Sequence, residues 1–216
     1  MIKRSPFALA VLHVIIAVSV ATAQLPETHL GSIYPAGAQA GQSLTLEISG
    51  VDLDAVNQLE FSHPGISATQ KLAEAGPFED QPQPVENQFE VKVHGDVPSG
   101  QYEVRCRGKY GLSNPRAFQV DSLTEYQESE PNQDPDTATE VSFPGIINGQ
   151  LKTTSDHDLF QFEGKQGQQL TIDALARRID SKSELMVTLQ APDGRTLQQS
   201  QNQVQVALLA QLVAKL

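Results

Sequence analysis

The sequence predicts an all-β protein built from two consecutive β-sandwich modules. Short segments alternate between apolar and polar residues, as strands with one buried face do. Turn signals rich in Gly, Pro and Asn separate these segments. The 216 residues include 15 Gly, 13 Pro and no Trp, which suits a turn-rich β protein better than a helical bundle. At ~100–200 residues per domain, the chain has room for two modules.

A targeting segment precedes the first module. Residues 1–23 begin with a basic pair, continue with an apolar run and end on Ala21-Thr22-Ala23, a pattern that signal peptidase accepts. They are predicted to be a signal peptide, which leaves Gln24 as the first mature residue. A retained membrane anchor is the alternative, but the apolar run is short for a span of ~20 residues. We therefore expect export to a periplasmic, cell-surface or extracellular location, with no membrane contact after cleavage.

The first module, residues 24–121, is predicted to be an Ig-like sandwich. Its tyrosine, valine and cysteine at positions 102, 104 and 106 share one face, so Cys106 is predicted to pack in the core. Interchain pairing or exposure of this thiol is the alternative. Residues 75–88 carry several Pro and acidic residues and are predicted to be a surface loop. The predicted strands are Ser43–Ser49, Gln58–Phe61, Phe89–Val93, Tyr102–Cys106 and Phe118–Val120.

The second half begins with an acidic segment. Residues 122–140 hold few large apolar side chains and are predicted to be a linker or extended lead-in. Residues 141–200 are predicted to form a second, jelly-roll-like sandwich. Its four predicted strands are fewer than the roughly seven of a complete sandwich, so the module is expected to be incomplete. These strands are Ile146–Leu151, Leu159–Phe162, Leu170–Ala176 and Leu185–Leu189.

The tail, residues 201–216, departs from the alternating pattern. Val206, Leu209, Val213 and Leu216 recur at helical spacing, which predicts a C-terminal helix. Two explanations stay open. Either the chain is a truncated copy of a longer protein, or the helix covers the open face of the second sandwich.

Charge and motif content exclude several classes of protein. The net charge of -11 argues against a nucleic-acid partner, because such binders need a basic face. A single Cys excludes an intrachain disulfide framework and a cysteine-based zinc cluster. Neither Gly-x-Ser-x-Gly nor His-Glu-x-x-His occurs. We therefore expect a protein that is not an enzyme.

Two resemblances support this interpretation. Residues 29–120 are similar to immunoglobulin-like TIG modules, through Tyr34-Pro35-Ala36-Gly37 and Pro98-Ser99-Gly100-Gln101-Tyr102. The second half resembles the bacterial pre-peptidase C-terminal (PPC) domain. The matching stretches are Glu130-Pro131-Asn132, Thr137-Ala138-Thr139, Gly149-Gln150-Leu151, Asp156–Phe162, Gly167–Asp173 and Pro192–Arg195.

Both families imply binding, adhesion or spacing. The expected partner is an extracellular protein or polysaccharide. An accessory fragment of a secreted peptidase, whose catalytic domain lies outside this chain, is the alternative function. No peptidase activity is expected within the chain itself.

One group of polar residues points to a cation. Oxygen-bearing side chains occupy every second position at Glu128, Glu130, Asn132 and Asp134, which places them on one side of an extended segment. Asp156 and Asp158 repeat that spacing. Hard oxygen ligands without His or Cys favour Ca²⁺. A solvated acidic linker is the alternative.

The resemblance extends to calcium-binding relatives of this sandwich, the collagen-binding domains of clostridial collagenases. In them an acidic lead-in and an Asp-bearing loop chelate calcium together. Here Gln133 stands where those relatives carry an acid directly after the Asn. We therefore expect weak calcium binding and no other cofactor.

Overall fold

The computed structural model describes residues 25–76, 81–153, 155–165, 167–201, 203–207 and 212–215. Within these ranges the protein is all-β and has no α-helix, which confirms the predicted fold class. The predicted signal peptide, residues 1–23, lies outside them. No helix in the described part is long and apolar enough to cross a membrane.

The regular secondary structure of the described chain consists of eighteen strands and two short 3₁₀ turns. The turns are Pro135–Thr137 and Arg177–Ile179. The strands are β1 (His29–Tyr34), β2 (Gly37–Gln39), β3 (Ser43–Val51), β4 (Gln58–Phe61), β5 (Ile66–Ala73), β6 (Gln83–Val93), β7 (Gly100–Gly108), β8 (Gly111–Leu112), β9 (Arg116–Asp121), β10 (Thr124–Gln127), β11 (Thr139–Glu140), β12 (Gly145–Asn148), β13 (Leu159–Phe162), β14 (Gln169–Asp173), β15 (Met186–Gln190), β16 (Thr196–Gln201), β17 (Gln203–Ala207) and β18 (Leu212–Lys215).

The first sandwich packs two sheets over one apolar core. One sheet has the order β1-β3-β6-β5 and the other the order β2-β9-β7-β4, with β8 paired to β7. Alternate residues of each strand point inward, so the strand pattern itself supplies the core. Cys106 is a free thiol in this core, as predicted. The core side chains include Leu46, Ile48, Phe89 and Val91 from the first sheet, and Val104, Cys106, Phe118 and Val120 from the second.

The predicted loop over residues 75–88 is wrong from Gln83 onward. Strand β6 begins there and extends a hairpin with β5, in which Leu72 pairs with Pro84. Proline has no N–H to donate to a neighbouring strand. A strand therefore tolerates proline at a position that has no paired strand on one side. The other neighbour, β3, pairs only with residues 88–92 of β6, so Pro84 leaves no ladder bond unmade on that side.

The second sandwich contains a five-stranded sheet, β11-β13-β18-β15-β16, and a two-stranded sheet, β14-β17. Its core gathers around Phe162, Val187 and Leu189. The segment predicted as an acidic linker contains β10, which pairs in parallel with β12. Through this pairing, the beginning of the acidic segment lies beside a strand of the second sandwich.

The predicted helical tail is wrong wherever the tail is described. The backbone is extended over Gln203–Ala207 and Leu212–Lys215. Strand β18 lies between β13 and β15 and pairs antiparallel with both. Ladder bonds on two sides satisfy its backbone groups, and this pairing outweighs the local helical periodicity. With β16 and β17 also formed, the prediction of four strands was too low.

Candidate metal centre

Backbone hydrogen bonds bring the two predicted ligand segments together. The N–H of Glu128 donates to the carbonyl oxygen of Asn148 at 3.0 Å, which holds the acidic segment beside the end of β12. The N–H of Leu159 donates to the carbonyl oxygen of Asn132 at 2.9 Å. Leu159 begins β13, so this bond places Asn132 next to Asp158. The acidic segment thus runs along the loop that carries both aspartates.

Three carboxylates converge where these segments meet. One oxygen each from Glu130, Asp156 and Asp158 lies within 4.8 Å of the other two. Asp158 is buried, whereas Glu130 is open to solvent. Negative charges at this separation repel each other, so the group favours either protons or a cation.

Asn132 is completely buried, with 0% exposure, and its amide lies between two of these carboxylates. With the nitrogen turned toward them, it donates to Glu130 Oε2 at 3.1 Å and to Asp158 Oδ1 at 3.3 Å. With the amide turned by half a rotation, its oxygen faces the same two carboxylates. That orientation needs a cation between the three oxygens. Asn132 can therefore bridge the carboxylates or join them as a ligand.

Glu128 adds a fourth carboxylate. Its Oε1 accepts the N–H of Gln150 at 2.9 Å, whereas its Oε2 is buried and has no hydrogen-bond partner among the described residues. Burial, followed by the charge of Asp158, raises the pKa of Glu128 to about 7. Burial, followed by the charge of Asp156, raises the pKa of Asp158 as well. We call Glu128, Glu130, Asn132, Asp156 and Asp158 together the carboxylate cluster.

Gly149 makes room for this arrangement. A Cβ at this position would lie 2.9 Å from Glu128 Oε2 and 3.3 Å from Asp158 Oδ2. Any larger residue would therefore push against both carboxylates. In the sequence, Gly149 stands out only as part of the PPC resemblance, because no neighbouring residue shows which side chains surround it.

Hydrogen-bond donors stabilise the outer carboxylates. Gln133 Nε2 donates to Glu130 Oε2 at 2.9 Å and to Asp156 Oδ1 at 3.3 Å. The backbone N–H of Lys152 donates to Asp156 Oδ2 at 2.7 Å, and this bond is the main reason that the pKa of Asp156 is lowered. Lys152 Nζ lies 3.2 Å from Glu130 Oε1. Gln133 thus contributes a donor in the place where the resemblance expects an acid.

Asp134 lies outside the group of three converging carboxylates. It is exposed, and its carbonyl oxygen accepts the N–H of Thr137 at 3.0 Å as the chain enters the 3₁₀ turn. Alternate spacing keeps side chains on one side only while the backbone stays extended. The turn at Pro135–Thr137 ends that geometry.

Comparison with known proteins adds little to this geometry. No family model and no curated protein matches the chain. Among solved structures, the chain is similar to the mixed-linkage glucan utilization locus protein SGBP-B of Bacteroides ovatus, in complex with a mixed-linkage heptasaccharide. The identity is 12% and the TM-score 0.29, over 82% of this chain and 35% of that chain. The present chain thus spans about a third of that protein's length, and a likeness at this level carries no argument about function.

Proposed function

We propose that the protein is an exported, non-catalytic binding or spacer protein in which calcium orders the acidic segment against a PPC-like second sandwich. One observation carries the calcium proposal. The buried amide of Asn132 lies 3.1 Å and 3.3 Å from two carboxylate oxygens, and the buried Glu128 Oε2 beside them has no partner among the described residues.

The donor set fits calcium. Ca²⁺ takes about six to eight oxygen ligands from carboxylates, amides, backbone and water. The carboxylate cluster offers four carboxylates and one amide, and its open side at Glu130 leaves room for water. No His or Cys belongs to the cluster, which disfavours zinc and other softer metals.

Two features should keep the affinity low. Lys152 Nζ already partly neutralises Glu130, and Gln133 supplies a neutral amide where an acid would add charge. We expect a dissociation constant of roughly 10⁻⁴–10⁻³ M, the range of extracellular calcium modules. Such an affinity suits an exported protein, because calcium is abundant outside cells and scarce within them.

The proposed class of partner is an extracellular protein or polysaccharide. The leader-like residues 1–23 support export. The all-β architecture and the absence of the common serine and metallopeptidase motifs from the sequence support a binding role.

Isothermal titration of the purified chain with CaCl₂ tests the proposal. We expect one site in wild type, with binding lost or weakened at least about tenfold in Glu130→Ala and Asp156→Ala, because each removes a charged ligand. Glu47→Ala is the matched control, since Glu47 is exposed on β3 and its loss changes net charge equally. Absence of binding at millimolar calcium, or equal binding by all four proteins, would show that the segment is only a solvated acidic linker.

A further inference from the structure

Among the described residues, hydrogen bonds join the two sandwiches on two separate sides. On one side, Tyr34 at the end of β1 donates its hydroxyl to the carbonyl oxygen of Asn148 at 3.3 Å. On the other side, Asp180 follows the second 3₁₀ turn and contacts β9. Its Oδ2 accepts the N–H of Ala117 at 2.9 Å, and its carbonyl oxygen accepts Arg116 Nη1 at 3.1 Å.

The Tyr34 contact is directly connected to the carboxylate cluster. The carbonyl oxygen of Asn148 accepts both the Tyr34 hydroxyl and the N–H of Glu128. Burial and the nearby charges of Glu128 and Asp158 raise the pKa of Tyr34 to about 12. The tyrosine therefore keeps its proton and remains a donor at any physiological pH. None of the hydrogen bonds described for Asp180 involves a residue of the cluster.

We propose that a cation in the carboxylate cluster fixes the first sandwich against the second through the Tyr34–Asn148–Glu128 contact. This inference rests on the proposed function, and it assigns to the calcium site control of the rigidity between the modules. Tyr34 is a positioning residue in this scheme and does not ligate the metal.

The physical reason is the repulsion within the cluster. Without a cation, those carboxylates of the cluster that are ionised push apart, and Glu128 is the member whose backbone shares an acceptor with Tyr34. Its movement shifts the hydrogen bond to Asn148 and loosens the junction on that side. A bound cation removes the repulsion and holds Glu128 in place. The Asp180 contact persists in both states, so the metal-free sandwiches pivot about it.

Distance measurements between the sandwiches test this inference. Spin labels at Ser67→Cys on β5 and Thr196→Cys on β16 occupy exposed positions in the two modules, whereas the native Cys106 is buried. We expect 5 mM CaCl₂ (about five to fifty times the expected dissociation constant) to narrow the distance distribution of this labelled protein. In Tyr34→Phe, calorimetry should show calcium affinity within about threefold of wild type, but the distribution should stay broad. Asp180→Ala should broaden it with or without calcium, which shows that the labels report on the junction.

The outcomes separate the two proposals. Narrowing in Tyr34→Phe equal to that in wild type overturns the inference and leaves the calcium site intact. If wild type binds calcium but its distance distribution does not narrow, the inference is likewise overturned and the calcium site stands. If wild type binds no calcium, calorimetry shows that the proposed function fails, and the inference fails with it.

Discussion

Asp180 of the second sandwich accepts the backbone N–H of Ala117 in the first, with 2.9 Å between Oδ2 and the nitrogen. Ala117 lies on β9, just before the residues of that strand that pair with β2. The carboxylate therefore satisfies a donor that the sheet leaves unpaired. Asp180 also has a φ of 65°, a conformation that Asp and Asn adopt more readily than most residues. One residue thus ends a turn in one module and completes a sheet edge in the other.

Replacing Asp180 should destabilise the junction between the modules. Asp180→Ala removes the acceptor for Ala117 and places a residue less suited to positive φ, so we expect a loss of about 1–3 kcal/mol. Asp180→Asn retains an acceptor oxygen and tolerates the conformation, so it should lose less than about 1 kcal/mol. Urea unfolding followed by circular dichroism measures both. Equal stability of Asp180→Ala and wild type would mean that this contact does not stabilise the fold.

Gly149→Ala should weaken calcium binding. The added methyl group would lie 2.9 Å from Glu128 Oε2, closer than a Cβ approaches any such atom, so the carboxylates must move. Because this movement displaces two ligands, we expect the calcium affinity to fall by about tenfold or more, which corresponds to a loss of about 1.4 kcal/mol or more in binding free energy. Gly100→Ala is the control, since a Cβ there meets nothing within 4 Å. Unchanged affinity in Gly149→Ala would place the ion elsewhere.

Lys152→Met should strengthen calcium binding. The ammonium group lies 3.2 Å from Glu130 Oε1 and competes with the ion for that carboxylate. Because the Lys152 side chain is exposed, we expect a gain in calcium affinity of only about threefold. Lys92→Met is the control, as Lys92 is exposed on β6 of the first sandwich. A weaker affinity in Lys152→Met would indicate that Lys152 positions Glu130 for binding instead.

The stability of the metal-free protein should fall as pH rises. Burial raises the pKa of Glu128 from 4.5 to about 7, so the folded state binds a proton that the unfolded chain has already released. The stabilisation is fully present below the unfolded value and is lost as pH rises through the folded one. Asp158 and Glu125 have pKa values raised by burial and act in the same direction.

Urea unfolding at about pH 5, 6 and 7 in EDTA measures this dependence. Glu128→Gln should flatten the slope, whereas the exposed Glu47→Gln should leave it unchanged. Saturating calcium should reduce or reverse the slope, because the ion binds the ionised form. A slope that is equally steep in wild type and Glu128→Gln would assign the pH dependence to other groups.

Elements in which the local sequence pattern agrees with the tertiary structure were predicted correctly. Strands β4 and β13 were predicted with their observed bounds, since each alternates or buries its apolar residues within four positions. All five members of the carboxylate cluster, on the acidic segment and the aspartate loop, follow from the spacing of oxygen-bearing side chains. The β-strands of the tail did not follow, because β18 obtains its conformation from two partners distant in sequence.

The rest of the site depends on contacts between distant segments. Tyr34 reaches Asn148 across a separation of 114 residues, and nothing near Tyr34 in sequence indicates such a contact. Lys152 and Gly149 matter because the acidic segment runs beside them, a fact that appears only once β10 has paired with β12. Spacing identifies candidate ligands, whereas the groups that position or oppose them are set by the fold.

Strand β18 imposes an order on the folding of the second sandwich. It comes last in the described chain yet occupies the middle of its sheet, between β13 and β15. During synthesis, the edges of β13 and β15 that pair with β18 therefore stay unpaired until the ribosome has released residues 212–215. Exposed edges of this kind invite pairing with other chains. The hazard lasts until β18 has paired with both strands and covered their edges.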